Sequence, residues 1–198
     1  MSRSRINLLT LAALAALAAS ALSSCASAPR PESEADSLVI GSIVLDYPES
    51  FFDFGPKTID RNLAVEFENI TKGKTFTVMT MAGGYFFFVS NGADSYRLRQ
   101  VRYDFRSNQA SYKLSTNLDI PFAASPHAIM YLDHMTITNS LLSAPKDDRV
   151  DGGHYSWSYK RSFSSADRRE DMLAFLRESD PQSPWEAGYE VRRLLDRP

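Results

Sequence analysis

From Ser37 onward, apolar and polar residues alternate with a period of two over short stretches, a pattern that predicts β-strands. Leu63, Val65 and Phe67 alternate with Ala64, Glu66 and Glu68, and Phe76 and Val78 repeat the pattern. Ser37 to Leu45 is instead an almost unbroken β-branched and apolar run with Gly41 inside it. It predicts a first strand with a bulge at the glycine. Tyr85 to Val89 is apolar at every position and predicts a strand covered on both faces. Tyr96 and Leu98 share one parity, whereas Val101, Tyr103 and Phe105 share the other. A one-residue phase slip of this kind predicts a β-bulge near Arg99 or Gln100. Further strands are expected at Ala110 to Leu114, Ile120 to Ala123, His127 to Thr138 and Tyr155 to Tyr159. The third of these holds Ile129, Tyr131, Asp133, Met135 and Ile137 on a single parity.

The punctuation between these segments fits. Turns are expected around Gly73, at Ala82-Gly83-Gly84 and at Asn91-Gly92, where glycine reaches positive φ at little cost. Asp46 to Asp60, with Pro48, Gly55 and Pro56, reads as a long loop that tucks Phe51, Phe52 and Phe54 under the sheet. Near the C-terminus the period lengthens. Met172, Leu173, Phe175 and Leu176 share one helical face, with Ser164 as N-cap and Asp167 three residues on. Asp180-Pro181 stops that helix, and Ser183-Pro184-Trp185-Glu186 opens a second. The expected fold is mainly β, an antiparallel β-sandwich with two short C-terminal helices. The 12 Phe and 9 Tyr suit such pleated, half-buried surfaces.

The N-terminus has a different logic. Arg3 and Arg5 precede an apolar run from Ile6 to Leu22 that carries no charge. This is the layout of a secretory signal. The run is slightly short for the ~20 residues that span a bilayer, and small residues crowd its end. Leu22-Ser23-Ser24-Cys25 resembles the bacterial lipobox, and Cys25 is the only cysteine in the chain. The resemblance implies that a peptidase cuts before Cys25 and that its thiol carries diacylglycerol. Two acyl chains hold a protein on a bilayer far more firmly than one. The competing readings are an ordinary signal peptide with a chance cysteine and a plain membrane anchor. On the lipobox reading, residues 1–24 are the signal, 25–36 a flexible tether, 37–163 the sandwich and 164–198 a helical segment. The expected address is the cell envelope; Ala26, where an Asp retains such proteins at the inner membrane of enteric bacteria, leans toward the outer membrane. Apart from the covalent lipid, no cofactor or metal is expected. The formal net charge is −2, and removing the signal takes away two arginines and no acid, so no general field attracts nucleic acid.

Residues 38–98 also resemble the carboxypeptidase-regulatory, transthyretin-like (prealbumin-like) β-sandwich family. The likeness lies in Leu63-Ala64-Val65-Glu66-Phe67-Glu68-Asn69, in Gly84-Tyr85-Phe86-Phe87-Phe88 and in Gly92 followed by Tyr96-Arg97-Leu98. The long aromatic loop after the first strand departs from that pattern. The resemblance implies a structural or binding module rather than a catalyst.

Candidate chemistry is sparse. His127, His134 and His154 show no metal-ligand spacing. Asp133 and His134, adjacent on an expected strand, should face opposite sides. Asp147-Asp148-Arg149-Val150-Asp151-Gly152 lacks the alternating oxygens and final Glu of a calcium loop and reads as a solvated turn. Arg97, Arg99, Arg102 and Arg106 cluster around one strand, either as a solvated face balanced by acids or as a surface for phosphates, head groups or an acidic partner. Tyr155, Trp157 and Tyr159 form an aromatic stripe, read as core beneath the following helices or else as a carbohydrate- or peptide-binding surface. The functional expectation is a non-enzymatic binding or assembly component with an envelope protein as partner. The alternative is an envelope enzyme acting on peptidoglycan or glycans.

Overall fold

The computed structural model describes residues 28–47, 57–106, 111–143, 158–186 and 188–194. Among the described residues ten strands form two sheets. In the first sheet, β1 (Asp36–Tyr47) is flanked on one side by β2 (Lys57–Ile59) and β5 (Tyr85–Asn91) and on the other by β8 (Ala128–Ser143). β8 in turn pairs β9 (Ser158–Ala166) and β10 (Glu190–Arg193). The second sheet runs β4 (Lys74–Met79), β3 (Ala64–Asn69), β6 (Ser95–Arg106) and β7 (Ser111–Ala123). One helix, α1 (Arg169–Ser179), follows β9. Among the described residues no helix is long and apolar enough to cross a membrane.

The unbroken apolar run of β1 is explained by its position. Val39, Ile43, Leu45 and Tyr47 face the second sheet and pack with Val65, Phe67, Leu98 and Val101. Leu38 and Ile40 face the other way, into a second core with Ile129, Met172, Leu173, Leu176 and Trp185. A strand covered on both faces loses its polar alternation. At the centre of the first core, the Phe67 ring lies 4.9 Å from Phe88 and 5.6 Å from both Phe76 and Phe86. Such ring pairs add ~1 kcal/mol each beyond the area they bury. On the other face Tyr85 stacks on Phe175 of α1 at 4.3 Å.

The bulge expected near Arg99 is present, since the ladders of β6 with β3 and with β7 both shift there. The one expected in β1 at Gly41 is corrected: β1 pairs regularly with β5 through Gly41, and the extra residue lies opposite it on β8. Other expectations are corrected. The sheets are not wholly antiparallel: β1 and β10 both run parallel to β8. The chain leaves the first sheet after β5, builds β6 and β7 in the second, and returns beside β1 in the same direction. Parallel pairing needs a long connection, and that excursion supplies it. The second C-terminal helix is a single 3-10 turn, Pro184–Glu186, after which pairing with β8 draws the chain into β10. The segment from residue 164 is therefore not purely helical. Ser164 is no helix cap, because β9 pairs with β8 as far as Ala166; Asp167 Oδ1 instead accepts the Arg169 N–H at 3.1 Å.

The expected strands 110–114 and 120–123 are one, β7, whose Pro121 is tolerated because β7 is an edge strand. The short β2 was not anticipated. Residues 28–36 are no free tether. Ala28 is buried in the second core, and the Trp185 indole N–H donates to the Pro29 carbonyl at 2.6 Å.

Candidate functional site

The bulge opposite Gly41 shapes a buried polar cluster on the helix-covered face of the first sheet. Leu132 and Met135 both face the inter-sheet core, so the extra residue between them turns Asp133 and His134 to the same side. The expectation that these neighbours point apart assumed a regular strand and is overturned by the bulge. For the same reason the single parity expected from Ile129 to Ile137 breaks. Ile129 and Tyr131 face α1, whereas Met135 and Ile137 face the second sheet.

Asp133 is wholly buried, and both its oxygens accept from Arg193 of β10, Nε at 2.8 Å and Nη2 at 2.6 Å. These bonds raise the Arg193 pKa above its ordinary value. Asp167 lies 4.0 Å from the same guanidinium and accepts the Tyr131 hydroxyl at 3.4 Å. Burial, and then the charge of Asp167, pushes the Tyr131 phenol up. The cluster ties β8, β10 and the start of α1 together.

Beside it, His134 Nδ1 sits 2.9 Å from Ser42 Oγ, a spacing that invites comparison with a nucleophile and its base. The hydrogen bonding assigns other roles. The Ser42 hydroxyl donates its one proton to the Gly83 carbonyl at 2.8 Å, so the His134 ring must donate to Ser42. Ser42 is also fully buried. Burial holds the His134 pKa below its ordinary value, and the positive charge of Arg168 adds to this. The pair is a neutral structural link between β1, β8 and the glycine turn.

A different surface is open to a partner. The bulge at Arg99 places Arg97, Arg99 and Gln100 of β6 on the outer face of the second sheet. There, with Glu66 of β3 and Asn117 and Asp119 of β7, they line a groove of about 470 Å³. Gln100 donates to Asn117 Oδ1 at 2.7 Å. Arg97 Nε lies 3.0 Å from Asp119 Oδ1, and Glu68 lies 3.8 Å from Arg97 and 4.0 Å from Arg99. The Arg97 contact is a charge contact without hydrogen-bond alignment. Its Nε is shielded from solvent and meets no aligned acceptor among the described residues.

Of the other residues singled out in the sequence, Cys25 and its flanking Leu22, Ser23 and Ser24 lie outside the described residues, as do Tyr155, Trp157, His154 and the Asp147–Gly152 loop. Of the aromatic stripe, only Tyr159 falls in a described strand, its Cα opposite Leu141. His127 occupies a turn at φ 55° and stacks on Tyr189 at 4.3 Å. Among the described residues no group of three metal-ligating side chains converges. Sequence reading missed the Asp133–Arg193 pair and the contribution of Asn117 and Asp119, since each joins residues far apart in the chain. Comparisons of the chain with family models, with curated proteins and with solved structures find no match.

Proposed function

We propose that this chain is a lipid-anchored cell-envelope protein whose β domain is a non-enzymatic binding module, presenting the groove on the outer face of the second sheet to a polar partner. The anchor is supported by the sequence: Arg3 and Arg5, the apolar run to Leu22, and Cys25 after two small residues. Ala26 favours the outer membrane over the inner. The observation that carries the binding role is the polar groove itself, in which Arg97, Arg99, Gln100, Glu66, Asn117 and Asp119 come together on one exposed sheet face. Two arginines there face the acids Glu66, Glu68 and Asp119, so a polyanion is disfavoured and an uncharged or mixed-charge protein segment fits better. The likeness of residues 38–98 to transthyretin-like modules belongs to the same reading, supported by the pairing of β1 with β5 and of β3 with β4 and β6.

Two measurements test it. Cys25→Ala should leave the precursor uncleaved and abolish incorporation of labelled lipid. Crosslinking in intact cells should capture an envelope protein with the parent chain and lose it with Arg97→Ala, while the variant's melting temperature stays within about 2 °C, as for most surface substitutions. Turnover of wall fragments by the purified chain, abolished by one carboxylate or histidine substitution, would overturn the non-enzymatic role.

A further inference from the structure

The sequence reads residues 26–36 as a free tether, yet most of that segment is fastened. Ala28 is buried against Leu38 and Ile40, and Trp185 holds the Pro29 carbonyl at 2.6 Å. Farther along, the Asp36 carboxylate accepts the Glu32 N–H at 2.7 Å and the Ser33 N–H and hydroxyl at 2.9 Å each. The segment is thus a strap closed at both ends.

We infer that the strap, acting with a lipid on Cys25, holds one face of the domain against the phospholipid bilayer. This rests on the lipid-anchor reading above. Only Ala26 and Ser27 separate Cys25 from Ala28. Three Cα steps of 3.8 Å reach at most about 11 Å. A domain of this length has a radius of gyration of about 16 Å. The leash is shorter than the body it holds, so the domain cannot turn its far side to the membrane. A wholly free segment from residue 26 to 36 would instead extend to about 40 Å and permit tumbling.

The face beside the strap is a cleft of about 490 Å³ whose lining includes Pro29, Arg30, Glu32, Phe87, Val89 and Asn91. Half-buried Phe87 and Val89 offer apolar area to the lipid interface, and exposed Arg30 can reach phosphates. Glu32 and Glu34, also exposed, offset that charge. The contact is therefore set by the leash, and it should not depend on anionic lipid. The binding groove then points away from the membrane, because it lies on the outer face of the opposite sheet.

The test uses the full chain, processed in cells and reconstituted into phosphatidylcholine vesicles bearing nitroxides at head-group depth. With Cys25 acylated, an introduced cysteine is the only free thiol for a fluorophore. Asn91→Cys lies at the strap face, and Thr77→Cys lies on the outer face of the second sheet. The label at 91 should be quenched about threefold more than the label at 77, with or without phosphatidylglycerol. Trp185→Phe keeps most of the buried ring but removes the N–H donor, and should bring the two values together. Equal quenching at both positions in vesicle-bound parent protein would overturn the inference alone. Equal ratios with and without Trp185→Phe would show that the strap is not what orients the domain. Protein that carries no lipid and stays out of the vesicles would overturn the anchor reading and this inference with it.

Discussion

Replacing Arg193 by Met should expose how much of the fold depends on one buried charge pair. Asp133 has no solvent exposure, and Arg193 supplies both of its close charged contacts, at 2.6 and 2.8 Å. Removing one partner of a fully buried pair costs about 3–5 kcal/mol, because the remaining charge is stranded in a poorly solvated site. The Arg193 side chain is 33% exposed, so water can partly replace it and the expected loss falls to about 2–3 kcal/mol. For a chain of this size that is a drop of about 4–12 °C in melting temperature.

The double variant identifies the cause. Adding Asp133→Asn removes the stranded carboxylate and should recover part of the loss. Urea denaturation of the soluble chain beginning at Ala26, followed by circular dichroism at pH 7, measures both variants. A deficit below about 0.5 kcal/mol would refute the reasoning and make this an ordinary surface pair.

The same cluster and its supporting turn give two more expected outcomes. Gly84 has φ +76°, and a Cβ there would stand 2.2 Å from the Ile43 carbonyl oxygen, whereas Gly92, at φ +70°, has open space around it. Gly84→Ala should cost about 3 kcal/mol or more and Gly92→Ala about 1 kcal/mol, compared by thermal unfolding; equal losses would remove the steric argument. His134 has a depressed folded pKa, so its neutral form stabilises the fold fully above the unfolded value near 6.5, and that contribution is lost as pH falls toward the folded value. His134→Gln should flatten the parent's loss of stability as pH falls below about 6.5, read as the difference between the two chains' urea midpoints.

Local pattern alone determined much of this protein. The alternation in β3 and β4, the glycine turns, the slip at Arg99 and the helical face of Met172, Leu173 and Leu176 are all short-range signals, and each corresponds to the observed element. The same kind of signal picked out Arg97 and Arg99 as a surface group. Pairing partners are not encoded in that way. Nothing local says that β8 returns parallel to β1, that β8 takes an extra residue opposite Gly41, or that Asp133 meets Arg193 sixty positions away. Likewise, Ala28–Asp36 is polar enough to read as free chain until Trp185 reaches it, and Ser183-Pro184-Trp185-Glu186 reads as a helix start until β8 captures Glu190–Arg193 as a strand. Period and turn chemistry act within a few residues and can be read along the chain. Register, bulges across a ladder and buried ion pairs are set by competition among distant segments for the same edge and the same core, and only the folded molecule resolves that competition.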